Sequence, residues 1–421
     1  MTEPRAGFDT DWIPALFAEL RGRPDLIKKG VRKMILSRPI RPLSHLLTGA
    51  LLLVAGALAP SGASAQTDAE NLVPYKNDCA AGDPYACSEL GRIYERGIAV
   101  PVDDINAAGL YRIGCEGGDP AGCSDLGYMY ERGRGVPQDD VIAVDYYSQG
   151  CNGGDNWGCN NLGIMYDGGF GVAEDDIRAV SLFQQSCDAG IPRGCSNLGL
   201  MYRDAQGVAA DDATAARYYK LGCDGDDGQG CTDLGFAHEN GFGVPVDLAL
   251  AVTLYRDGCK LGNMIGCTNA GFMYFTGTGI AANNERAVSY YTLACDGSDA
   301  RGCNNLGTMH YDGLGTTQDD ARAADLFRLA CDYGYALGCS NTGLMYSLGR
   351  GVQADEATAV TFYQQGCDGD DMQGCYSLGY NYENGLGVKA DRNLAIDLYR
   401  DVCASGDQDA CADLTRLGVQ P

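Results

Sequence analysis

Basic residues are scarce in this chain. After residue 65 there are four lysines, Lys76, Lys220, Lys260 and Lys389, and 22 basic residues face 51 acidic ones. Phosphate recognition needs a basic surface, so nucleic acid is excluded as a partner. Histidine is scarcer still: His238 and His310 are the two beyond residue 65, too few for a histidine-rich zinc site. The apolar run LLTGALLLVAGALA, Leu46 to Ala59, stops at 14 residues. A spanning helix needs roughly 20, so no stable membrane insertion is expected once this segment is removed.

Cysteine, by contrast, is abundant and strictly ordered. The words CNGGDNWGCNNLGIMYDGGFGV from Cys151 return 36 residues earlier from Cys115 and 36 residues later from Cys187. The pairs are Cys79 and Cys87, Cys115 and Cys123, Cys151 and Cys159, Cys187 and Cys195, Cys223 and Cys231. They continue as Cys259 and Cys267, Cys295 and Cys303, Cys331 and Cys339, Cys367 and Cys375, and Cys403 and Cys411. All 20 cysteines obey one spacing, eight within a pair and 36 between pairs. A fixed period of this length makes the chain a repeat array rather than a set of globular domains. Nine copies span 79–402, an incomplete one occupies 66–78, and 403–421 supplies a final capping helix.

Within a copy, Cys159, Leu162, Gly163 and Tyr166 fall at i, i+3, i+4 and i+7, one face of a helix. Gly169 and Gly171 end it, and Asp175 or Asp176 caps a second helix carrying Ala179, Phe183 and Cys187. Each unit is therefore an antiparallel helix pair, and the fold class is all-α. Small residues at fixed positions, Gly158, Gly163 and Ala179, let neighbouring helices approach closely. Each helical glycine costs about 1 kcal/mol relative to alanine, which packing or a covalent link must offset. Cys151 closes one second helix and Cys159 opens the next first helix across Gly153-Gly154-Asp155, so the two face each other. Local disulfides at all ten stations are the economical reading, each worth about 2.5 kcal/mol by chain entropy. Zinc is the other use of paired cysteines, but it takes tighter spacing and draws on histidine. No metal and no cofactor is expected.

Disulfides on this scale require an oxidising compartment. Residues 1–65 read as an export leader: Arg38 and Arg41 flank the apolar run, and Ala63-Ser64-Ala65 is a cleavage site leaving Gln66 first. Starting at Met34 gives a leader of ordinary proportions, so the true start is expected there. The chain is thus expected to be periplasmic or secreted. Its acidity either simply keeps it soluble or attracts basic peptides, basic protein faces or divalent cations.

The unit Cys-x-x-Gly-x-x-x-Gly-Cys-x-x-Leu-Gly-x-Met-Tyr-x-x-Gly-x-Gly-Val resembles the Sel-like repeat, a relative of the tetratricopeptide repeat, over residues 72–418. With its cysteine pair it more closely resembles the Helicobacter cysteine-rich proteins. The resemblance implies a right-handed α/α superhelical solenoid of disulfide-stapled 36-residue hairpins with a concave face. It also implies either a protein- or peptide-binding scaffold or a β-lactamase-like, penicillin-binding protein. Beyond residue 65 no serine has lysine three positions on, and Lys-Thr-Gly and Gly-x-Ser-x-Gly are absent, so a serine nucleophile lacks its base. The two histidines stand 72 residues apart at a position tyrosine otherwise holds, which reads as structural substitution. No catalytic residue is assigned, and the enzyme reading rests on resemblance alone.

The acidic pairs Asp103-Asp104, Asp139-Asp140, Asp175-Asp176, Asp211-Asp212 and Asp319-Asp320 recur where second helices begin, as capping carboxylates do. The loops Asp224-Gly-Asp-Asp227 and Asp368-Gly-Asp-Asp371 lack the spaced carboxylates and closing glutamate of a calcium loop. One stripe suits recognition. Asn161, Asn197, Asn269, Asn305 and Asn341 occupy the place where, by the resemblance, tetratricopeptide relatives hold a ligand's backbone from the concave groove. An amide donates and accepts at once. The competing readings are a solvated helix face and a helix-to-helix hydrogen bond.

Overall fold

Aspartates set where helices start. The side chains of Asp103, Asp139, Asp175, Asp247 and Asp319 each accept from a backbone N–H in the first turn of a second helix. Asp83, Asp119, Asp155, Asp227, Asp299 and Asp371 do the same for first helices. This satisfies donors that a helix start leaves orphaned. Ile191 and Tyr335 hold that place without a side-chain cap. First helices end in the left-handed region, as at Gly169 (φ 64°), a conformation without penalty only for glycine. Ala205 takes the same turn at φ 58°.

The computed structural model describes residues 63–420, with side chains from Leu72 onward. Among the described residues every regular element is a helix. The first, α1 (Ala63–Ala80), covers the expected half-unit at 66–78. First helices then begin at residue 84 and every 36 residues to 372, and second helices at 104 and every 36 residues to 392, each 13 residues long. The chain closes with Gln408–Arg416, a last first helix. The apolar leader run and the expected start at Met34 lie outside the described residues.

The described chain forms two compact units, one ending at Leu221 and one starting at Gly222. In each, a first helix packs on the second helix of its own hairpin and also on the next first helix. This is the α/α hairpin stacking of a solenoid. The glycine of Leu-Gly is the seat for an aromatic ring from the partner helix. A Cβ at Gly163 would stand 2.7 Å from Phe183, and one at Gly307 2.8 Å from Phe327. Tyr147, Tyr255, Tyr291, Phe327 and Tyr399, the rings in these seats, are fully buried. Burying such a side chain stabilises by about 1.5–3 kcal/mol, more than the glycine costs.

All ten expected disulfides are present, with Cα–Cα distances from 4.4 to 4.8 Å. Each joins the end of one second helix to the start of the next first helix. Every hairpin join is therefore covalent.

Four buried tyrosine hydroxyls find their partners on the first helix of their own hairpin. Tyr111 donates to Glu95 and Tyr147 to Glu131, both at 2.6 Å, and Tyr399 to Glu383 at 3.0 Å. Tyr255 donates to Glu239 in the same way. The carboxylates differ in their neighbours. Burial holds the Glu239 carboxyl above its ordinary 4.5, against the lowering effect of the Tyr255 hydroxyl. Arg416 holds Glu383 below its ordinary value. A raised acid binds its proton more readily when folded, so its stabilising contribution is present in acid and lost as pH rises through its folded pKa. Wild type should therefore lose stability relative to Glu239→Gln as pH rises above the ordinary value of 4.5. Thermal unfolding of both proteins across that value measures it, and parallel pH profiles would contradict it.

Candidate functional site

The asparagine row lies where successive first helices meet. Asn197, Asn269, Asn305 and Asn341 are buried, between 4 and 7 % exposed, and Asn161 is half-buried. Asn197 donates from Nδ2 to Asn160 Oδ1 at 2.9 Å, and Asn341 to Asn304 at 2.8 Å. Asn160 in turn donates to Asn161 Oδ1 at 3.2 Å. These bonds run from one first helix to the preceding one, or between neighbours on one helix. Where Asp125 replaces asparagine, Arg92 of the preceding helix donates to it at 2.8 Å. At these copies the row ties one first helix to the preceding first helix.

Beside it runs a second row, three residues further along each helix. Tyr128 and Leu200 occupy it in the unit ending at Leu221, and Phe236, Phe272, Leu344 and Tyr380 in the other. These six are partly or largely exposed, whereas the same position holds Arg92 and the buried Ile164 and Thr308 in the other copies. Four residues before Asn161, Asn269 and Asn341 stand Trp157, Ile265 and Leu337, and Tyr85 holds the same place before Glu89, all accessible. Aromatic side chains offer large contact area at low entropy cost.

The acidic pairs have a divided use. The first carboxylate caps, as Asp103, Asp139, Asp175 and Asp319 do, and Asp211 does for Thr214. The second can be clamped by the next repeat. Arg134 holds Asp104 at 3.1 and 2.7 Å, and Arg350 holds Asp320 at 3.0 and 2.7 Å, both bidentate. Asp227 and Asp371, from the acidic loops, cap the helices that follow. His238 shares a hydrogen bond with the Pro245 carbonyl at 3.1 Å. His310 is pushed below its ordinary value, by burial first and then by Arg322.

One feature escaped sequence reasoning although the letters carry it. Successive second helices alternate at their seventh residue: Leu110, Tyr146, Leu182, Tyr218, Leu254, Tyr290, Leu326, Phe362, Leu398. The loop residue before each alternates in step, apolar at Ile98, Phe170, Phe242, Leu314 and Leu386, polar at Arg134, Gln206, Thr278 and Arg350. The structural period is therefore two repeats. In the aromatic copies Tyr130 stacks on Tyr146, Tyr202 on Tyr218, Tyr274 on Tyr290 and Tyr346 on Phe362, with centroids 5.5 to 5.7 Å apart. Self-comparison at twice the obvious period would have found it.

Comparison with known proteins fits this geometry. The Sel1 repeat matches nine times, at residues 84–119, 120–155, 158–191, 192–227, 228–263, 265–299, 300–335, 335–371 and 373–407. A protective antigen of uropathogenic Escherichia coli strains displaying an SLR fold is similar at 29% identity. That similarity covers 79% of this chain and 71% of the antigen, with a TM-score of 0.58. A Sel1 repeat protein from Oxalobacter formigenes is 24% identical over 55% of this chain and 93% of its own, with a TM-score of 0.51. Helicobacter pylori cysteine rich protein B is 27% identical over 32% of this chain and 96% of its own, with a TM-score of 0.27. No curated protein matches. Nine consecutive matches between residues 84 and 407 take in most of the sequence, and the chain belongs to the Sel1 repeat family.

Proposed function

We propose that this protein is an extracytoplasmic scaffold that binds a protein or peptide along the open side of its first helices. Sel1 repeat proteins generally serve protein–protein interaction. The observation that carries the reading here is the accessible row Tyr128, Leu200, Phe236, Phe272, Leu344 and Tyr380 beside the amides. Large apolar groups left accessible at this position in six copies match the composition of interface centres. The half-buried Asn161 meets the ligand's backbone, and the acidic surface favours basic segments. Ten disulfides support the address, since such bonds persist where the medium oxidises.

Photo-crosslinking from single positions tests this in the envelope or culture medium of the producing cell. A crosslinker at Phe272 or Leu200 should trap protein partners at least several-fold more than one at Thr253, an exposed second-helix position. Adding Asn161→Ala should weaken capture. Equal trapping at Thr253 would overturn the assignment of the face.

A further inference from the structure

Against a net charge of −25, three cations converge on one groove in the unit that begins at Gly222. It has a volume of about 570 Å3 and is lined by Arg256, Lys260, Tyr274, Arg286, Tyr290 and Leu293, among others. Its walls are the second helices Leu248–Lys260 and Asn284–Asp296, and Tyr274 reaches it from the first helix Met264–Thr276. The Tyr274 and Tyr290 rings stack 5.5 Å apart and nearly parallel, 10° between planes. Arg286 sits 5.4 Å over the Tyr274 centroid and donates to its hydroxyl at 3.1 Å. Arg256 hydrogen-bonds Tyr290, and its Nε is buried without a hydrogen-bond partner.

The carboxylates nearby leave these arginines uncommitted. Asp257 pairs with Lys260 at 2.6 Å and acts on Arg256 only weakly, as the last of the groups around it. Glu285 lies in the first turn beside Arg286. Among the described residues neither arginine forms an ion pair of its own.

A purely structural role does not call for two arginines. The three other stacked pairs have Arg112 with Ile142, Gln184 with Thr214, and Arg328 with Thr358 at the two matching positions. One arginine or none is enough to hold those rings. Two like charges flanking the same ring pair repel one another unless an anion joins them. Arginine suits planar oxyanions because its fork donates two parallel hydrogen bonds. The surrounding negative charge repels extended polyanions, so the guest is small.

We propose that this groove is a binding site for a small organic oxyanion, a carboxylate or a phosphate monoester. Its anionic group lies between Arg256 and Arg286, and its apolar part lies against Leu293. The site is on second helices and is independent of the first-helix face assigned above.

Isothermal titration calorimetry on the intact, oxidised protein at low salt tests it, with benzoate, phenyl phosphate and inorganic phosphate as probes. At least one of the three should bind in the millimolar range or tighter. Arg286→Thr and Arg256→Gln, which copy residues that sibling repeats accommodate, should each weaken that binding tenfold or more. Arg322→Thr, the same position one repeat on, should leave it unchanged. Binding of benzoate alone assigns a carboxylate, and binding of the phosphates alone assigns a phosphate ester. No heat from any probe at 10 mM, roughly tenfold above a millimolar dissociation constant, overturns the proposal. So does binding that survives Arg286→Thr, or binding that Arg322→Thr abolishes equally.

Discussion

Full reduction of the ten disulfides is expected to unfold this protein at ambient temperature. Each bond closes a short loop between residues eight apart. In the chain-entropy model that removes about 2.5 kcal/mol of unfolded-state freedom per bond, roughly 25 kcal/mol in all. Folded domains are typically stable by only about 5–15 kcal/mol. The hairpins have little to set against the loss, since their helices carry glycine at the third and eighth positions, as Gly158 and Gly163 show. Helical far-ultraviolet dichroism should collapse on treatment with a phosphine reductant and return on reoxidation. Replacing Cys295 and Cys303 together by serine should cost about 2.5 kcal/mol and raise hydrogen exchange chiefly in the adjoining hairpins, because repeats couple to their neighbours. A reduced chain that kept its helical signal and melting temperature would show that packing alone suffices.

Phe327→Ala is expected to be the most damaging single substitution in its repeat. The ring is fully buried and lies against the bare backbone of Gly307, where a Cβ would come within 2.8 Å. Truncation at such a site costs about 3–5 kcal/mol through lost transfer energy and the cavity left behind. The converse change, Gly307→Val, drives methyl groups into the ring and should cost about 1–3 kcal/mol. Combined, the two should be markedly less than additive, because the alanine vacates the space that the valine enters. Hydrogen exchange resolved to residues 300–335 is the readout, since a global melt averages over other repeats. Strict additivity would mean that the ring and the glycine do not share one space.

The resemblance and the period made most of the architecture legible. Ten cysteine pairs at one spacing, aspartates before second helices and glycines after first helices each act within one turn of chain, and the structure places them as expected. Local interactions of this kind depend on neighbours in sequence, so a reader of letters can follow them. The candidate face was less legible. The asparagine row named one position on the first helices, but the letters alone left open whether its amides meet solvent or a neighbouring helix. The bonds from Asn197 to Asn160 and from Asn341 to Asn304 span 37 residues, and only the stacking of one repeat on another brings them together.

The same division separates Arg256 from Arg286. Their letters differ little from those of Arg112 or Arg178, which stand in equivalent places of other repeats. By itself the sequence determined the hairpin, its caps, its covalent staples and the 36-residue period, because caps and staples act within ten residues and the repetition is visible on self-comparison. Tertiary structure alone decided which asparagines are buried, which carboxylate meets an arginine, and where two arginines flank one stacked tyrosine pair. Those outcomes depend on distances between residues in adjacent repeats, which are set by how the helices pack.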